Sequence, residues 1–195
     1  MRKTLCFVLL LLITTLPGFG QVALEEFETP PPGYPPKMGE ISGTLGDKPV
    51  AWETFDFSIG AFDASAQARA DWETKIVRLS IMGMKPGKPD EDRQRIWIKA
   101  EFGTTLQPGP TVGGAEVVLL RGKDLGGPKL VSQAETVDLV LESIGPQAAD
   151  SYSRRMTGHV SARLCPVEWA FKKCQDVVLR FDTDVQIDGD FPIKP

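Results

Sequence analysis

Residues 158–185 read GHVSARLCPVEWAFKKCQDVVLRFDTDV, and the fold follows from the two halves of this stretch. Extended back to Arg155, the first half puts Met156, Gly158, Val160, Ala162 and Leu164 at alternate positions, with Arg155, Thr157, His159, Ser161 and Arg163 between them. The second half, carried on to Ile187, alternates Val177, Leu179, Phe181, Thr183, Val185 and Ile187 with Val178, Arg180, Asp182, Asp184 and Gln186. A period of two is the spacing of a strand with one face buried, and one polar face per strand marks an antiparallel sheet wetted on one side. The two runs are expected to form a hairpin. Cys165 and Cys174 stand where its adjoining ends meet, and two α-carbons within about 7 Å can be bridged. A structural disulfide Cys165–Cys174 is the expectation, with Trp169 and Phe171 on the closed loop free to cap the edge of the core.

Working upstream, the same period recurs. Val77, Leu79 and Ile81 alternate with Arg78, Ser80 and Met82; Ile96, Ile98, Ala100 and Phe102 alternate with Arg95, Trp97, Lys99 and Glu101. Further strands are expected at 41–45, 50–57, 117–120 and around Val137, Leu139 and Leu141. The Ala64-Ala66-Ala68-Ala70 run is ambiguous, because alanine favours helix while the strict alternation favours strand, which is the reading adopted. Gly- and Pro-rich turns at 85–90, 103–114 and 126–128 separate these runs. About eight short strands with frequent turns predict an all-β domain over residues 39–191, a single antiparallel β-sandwich with an open β-barrel as the alternative. Residues 192–195 read as a tail.

The closing hairpin resembles that of uncharacterised bacterial secreted β-proteins, in which a G-x-F-S-A strand pairs with a final G-R-F-D strand. Gly158, Ser161 and Ala162 match the first pattern and Arg180, Phe181 and Asp182 the second; Val160 replaces the aromatic and Leu179 stands at the final glycine. The resemblance covers about 30 residues. It implies a fold and transfers no functional residue.

The front of the chain is built differently. Arg2 and Lys3 precede an apolar run from Leu5 to Leu16, and Pro17-Gly18-Phe19-Gly20 follows, with small residues where a signal peptidase requires them. Residues 1–20 are therefore expected to be a signal peptide cleaved before Gln21. The run of about 12 apolar residues is shorter than the ~20 a spanning helix needs, so the chain is expected not to span a membrane. Residues 21–38 read as a spacer, with five prolines between Pro30 and Pro36 favouring polyproline II over a sheet ladder. Secretion or residence in a periplasm is the expected location, and an exported chain with two remaining cysteines suits a disulfide.

Charge and composition narrow the function. The 195 residues carry a net charge of −4, and loss of Arg2 and Lys3 would bring it to −6. No basic patch offers a nucleic-acid footprint. His159 is the single histidine and falls on a polar strand face. Ser161 shares that face, but no acid in the sequence is positioned to orient the pair into a triad. Asp182 and Asp184 point one way from a strand, and Asp188-Gly189-Asp190 reads as an acidic turn; both fit solvated surface better than a calcium loop. Met82-Gly83-Met84 supplies too few thioethers for a copper site. No catalytic residue, metal ligand or cofactor is assigned. Trp97, on the wet face between Arg95 and Lys99, is the candidate ligand contact, able to stack on a sugar ring or a partner surface unless another element covers it. The expected function is a non-enzymatic exported module binding a protein or glycan of the cell envelope. The alternative is an exported hydrolase acting on glycan through carboxylates that no short motif reveals.

Overall fold

The fold is that of a computed structural model describing residues 35–57, 64–85, 94–122, 129–147, 152–167 and 173–195. Eleven strands follow one another: β1 (Lys37–Leu45), β2 (Lys48–Phe55), β3 (Ala66–Ala70), β4 (Val77–Met84), β5 (Gln94–Glu101), β6 (Gly109–Pro110), β7 (Ala115–Arg121), β8 (Leu130–Ser132), β9 (Asp138–Gln147), β10 (Ser153–Pro166) and β11 (Gln175–Asp188). The only helical turn among the described residues is a 3-10 turn at Ala134–Thr136. The chain is all-β, as the alternation predicts, and adds to the runs read from the sequence the short strands β6 and β8. The expected signal peptide, the proline run up to Pro32, and Trp169 and Phe171 lie outside the described residues.

All eleven strands join one hydrogen-bonded sheet in the order β2-β1-β11-β3-β4-β5-β7-β8-β10-β9-β6. β10 and β11 organise it. Each is 14 residues long, and they pair antiparallel from Ser153↔Gln186 to Leu164↔Gln175. Strands of that length can serve two neighbours in succession on the far side. β11 takes β1 along Val177–Thr183 and then β3 along Gln186–Asp188. β10 takes β9 along Arg154–Ser161 and then β8 along Leu164–Pro166. The ladder consequently closes through β11, β3, β4, β5, β7, β8 and β10.

One expectation is corrected here: the sheet is mixed, not purely antiparallel, because β3 pairs parallel to β11. The chain leaves β2 at Phe55 and returns at Ala64 to an isolated bridge with Asp56. It thereby enters β3 alongside the outgoing end of β11. The C-terminal residues read as a tail are also held: Ile193 bridges Leu106, whose amide donates to the Pro192 carbonyl and whose carbonyl accepts from the Lys194 amide.

One core cluster gathers side chains from across the sheet, from Ile41, Trp52 and Leu79 to Leu141, Val160 and Phe181. The apolar faces of the closing hairpin are buried as read, including Thr183, whose hydroxyl pairs with that of Thr54 at 2.6 Å. That bond explains how a polar residue sits on the apolar face: a buried hydroxyl is tolerated when it finds a partner. The outward side chains of β10 and β11 are half-buried or exposed and mostly polar, Val178 being an exposed apolar exception.

Candidate functional site

On the outward face of β4, β5 and β7 the register sets Ser80 opposite Lys99 and Arg78 opposite Glu101, and Lys99 opposite Glu116 on the other side. Cross-strand neighbours on one face stand within reach of each other, and every one of these residues borders a concavity with a cavity volume of ≈ 480 Å³. Ala100, Ala115 and Trp97 supply its apolar surface, and charged side chains rim it.

Trp97 is half-buried and fixed from two sides. Its indole N–H donates to the Ser80 hydroxyl at 2.8 Å, and the Lys99 ammonium lies 3.9 Å from the ring centroid, a cation–π geometry. Lys99 in turn reaches Glu116 at 2.9 Å. Trp97 is thus part wall and part exposed platform, neither sealed in the core nor loose in solvent. Across the sheet it continues a line of directly paired outward residues: Met82, Trp97, Val118, Val131 and Cys165.

The far end of the concavity is braced by a charge network. Arg78 donates to Glu101 at 3.0 Å and to Asp71 at 3.0 Å. Asp71 opens the turn between β3 and β4. Its other carboxylate oxygen accepts from the Glu73 amide, the Thr74 amide and the Thr74 hydroxyl at 2.9–3.1 Å. The Thr74 amide and hydroxyl, with the Glu73 amide and the Arg78 charge, hold the Asp71 carboxyl below its ordinary value. Glu101 hydrogen bonding, with the charges of Asp71 and Glu101, raises the already high value of Arg78. The turn so braced carries Trp72, 78 % exposed. At the same end the loop before β7 folds back onto Glu101, whose carbonyl accepts from the Val112 and Gly113 amides at 3.1 Å; Val112 is 77 % exposed.

The other residues weighed from sequence fall elsewhere. His159 is half-exposed and its Nδ1 lies 2.7 Å from Glu142 Oε1, so the structure supplies an orienting acid that the sequence did not reveal. Ser161 makes no hydrogen bond to that histidine among the described residues, and no serine–histidine nucleophile is assembled. Asp182 and Asp184 both turn to Arg155, and Asp188 pairs with Arg69. Among the described residues no three His, Cys, Asp or Glu side chains gather as a metal site would require. Met82 lies beside Trp97 and Met84 is buried near β2. Trp52 is a core residue. The sulfurs of Cys165 and Cys174 are 2.10 Å apart, a disulfide that closes the hairpin as read.

The sequence pointed to Trp97 but missed its surroundings: Arg78, Ser80, Lys99, Glu101 and Glu116, and the Asp71 turn. The signal was present, since the two alternating runs 77–82 and 95–102 place all but Glu116 and Asp71 on wet faces; the hairpin register was needed to bring them together. No described helix is long and apolar enough to cross a membrane. No protein-family model matches the chain, and no curated protein or solved structure matches it significantly.

Proposed function

We propose that this chain is an exported, non-catalytic binding module that holds a glycan-bearing component of the cell envelope on the outward face of β4, β5 and β7. The observation that carries this reading is the placement of Trp97. A partly exposed indole borders a concavity whose other walls are small apolar residues and hydrogen-bonding side chains. Ligand sites combine such an apolar surface with a few fixed polar groups, and an amphipathic aromatic offers large contact area with little conformational cost. The Cys165–Cys174 disulfide and the signal-like residues 1–20 support an oxidising, extracytoplasmic location.

The test is binding of the purified protein to immobilised envelope polysaccharide, compared with its Trp97→Ala variant. Loss of an aromatic contact of about 1.4 kcal/mol weakens binding about tenfold, and Trp97→Phe, which keeps a ring, should retain more affinity than Trp97→Ala. Equal binding by wild type and Trp97→Ala, with both folded by circular dichroism, would remove Trp97 from the site.

A second reading, a glycan hydrolase, has one observation in its favour: Glu101 and Glu116 border the same concavity. Glycoside hydrolysis commonly uses two carboxyl groups, one of them held as an acid. Here each carboxylate is matched to its own cation, Glu101 to Arg78 and Glu116 to Lys99, an arrangement suited to holding charge rather than delivering a proton. Turnover of a chromogenic glycoside that disappears in Glu101→Gln would favour the hydrolase.

A further inference from the structure

The concavity at Trp97 does not stand alone at its end of the sheet. Met82, which faces Trp97 across the ladder, lies four positions beyond Arg78, a span of about 13 Å at ~3.3 Å per residue. Beyond Arg78 the chain continues through Val77 into the turn that carries Trp72, where the Asp71 amide bonds back to the Ile76 carbonyl. Ile76 is six positions from Met82, so Trp72, just beyond Asp71, and Trp97 are separated by roughly 20 Å or more along the strand direction.

An indole 78 % exposed costs solubility and contributes nothing to the core, yet its turn is heavily braced. Asp71 gathers three hydrogen bonds from the turn and an ion pair to Arg78. The brace joins the turn directly to the concavity, because Arg78 lines it.

The charges nearby also restrict the ligand. Arg78 is engaged by Asp71 and Glu101, and Lys99 by Glu116. With Arg95, which flanks Trp97 on the same face of β5, three cations stand against three carboxylates and leave no positive excess for a polyanion.

Resting on the reading of Trp97 as a glycan contact, we infer that the ligand is an uncharged linear oligosaccharide several sugars long, gripped at one end by Trp97 and at the other by Trp72. A single sugar ring cannot cover the distance between the two indoles, whereas a chain can engage both. The second contact then becomes intramolecular and multiplies affinity without any change in the first. Asp71 acts as a positioning residue that fixes where Trp72 stands.

The experiment titrates the full exported chain, by calorimetry, with N-acetylglucosamine and glucose oligomers two and six units long. For one of the two series the six-unit chain should bind at least about tenfold more tightly than the two-unit chain. Trp72→Ala should abolish that difference while leaving two-unit binding unchanged, and Asp71→Ala should reproduce its effect. Trp97→Ala should weaken both lengths. Trp72 is exposed, so its removal leaves the fold intact, and thermal melting checks this. If both lengths bind equally, or Trp72→Ala leaves the length dependence in place, the two-point grip is wrong while the Trp97 site stands. If neither series binds, the glycan reading fails and the inference with it. Tighter binding of an anionic polysaccharide, declining with salt, would overturn the neutral ligand.

Discussion

At Gly158 a single methyl group has nowhere to go. A Cβ there would run into the ring of Phe181, its cross-strand partner, and into the Val140 carbonyl of the strand on the other side. The aromatic lies across the glycine and takes the space a side chain would need. Gly158→Ala should therefore destabilise by about 1–3 kcal/mol, the usual cost of overpacking. Thermal melting checks this, and Phe181→Leu in the same chain should recover part of the loss because the two residues share one space. Asp71 makes a different prediction. Its carboxyl is held below the ordinary value of 3.8, so the charged form is the one the folded turn prefers. The contribution is complete above that ordinary value and is lost as pH falls through the lowered one. Acidification should loosen the 71–76 turn before the rest of the sheet, read as shifts of the Glu73 and Thr74 amides by NMR. In Asp71→Asn those amides should show no such acid transition. Amides in the wild type that stay put until global unfolding would count against the brace.

Among the elements, the closing hairpin is the clearest case of sequence determining structure. Its two runs keep the period of two for a dozen residues, every inward position is apolar except Thr183, and the cysteines mark where the strands join. The bridge spans a separation of 9 residues, and a loop of that size contributes about 2.5–3 kcal/mol by closure entropy. Cys165→Ser with Cys174→Ser should lower the melting temperature by roughly 5–10 °C for a chain of this size. Because Cys165 is in register with Val131 of β8, the same variant should also raise hydrogen exchange at the β8–β10 ladder. β4 and β5 were equally legible for the same reason. β6 and β8, at 2 and 3 residues, were not, because so few positions cannot display a period. Their pairing is decided by what β9 and β10 leave uncovered. The alanine run was read correctly as a strand in β3, but its parallel partner was invisible, since alternation reports which face is buried and not which strand lies alongside.

For the molecule as a whole, alternation gave the class and tertiary pairing gave the architecture. Trp97 was singled out because a large aromatic on a wet face stands out in one strand. Its surroundings needed three strands in register, which no local pattern encodes. The ladder's closure is likewise a long-range property: Ile41 is opposite Phe181, 140 positions later, and topologies dominated by such contacts fold slowly. Deleting residues 175–195 should remove a neighbour from β1, β3 and β10 at once. The shortened chain should show no cooperative thermal transition; a sharp melt would mean that the remaining strands form a unit without β11.

That dependence has a temporal side. A polypeptide is made from its N-terminus, so β1 and β2 emerge long before the strand that β1 must clasp. Until β11 arrives, the hairpin of β1 and β2 has an open edge, and such edges recruit whatever extended chain is near. The nascent protein therefore passes through a long interval in which its earliest strands need protection from other chains. A helper that shields them would be required until β11, Gln175–Asp188, has been made and would be dispensable immediately afterwards. β11 thus serves as a checkpoint on synthesis: only a chain that has reached it can stop being sticky.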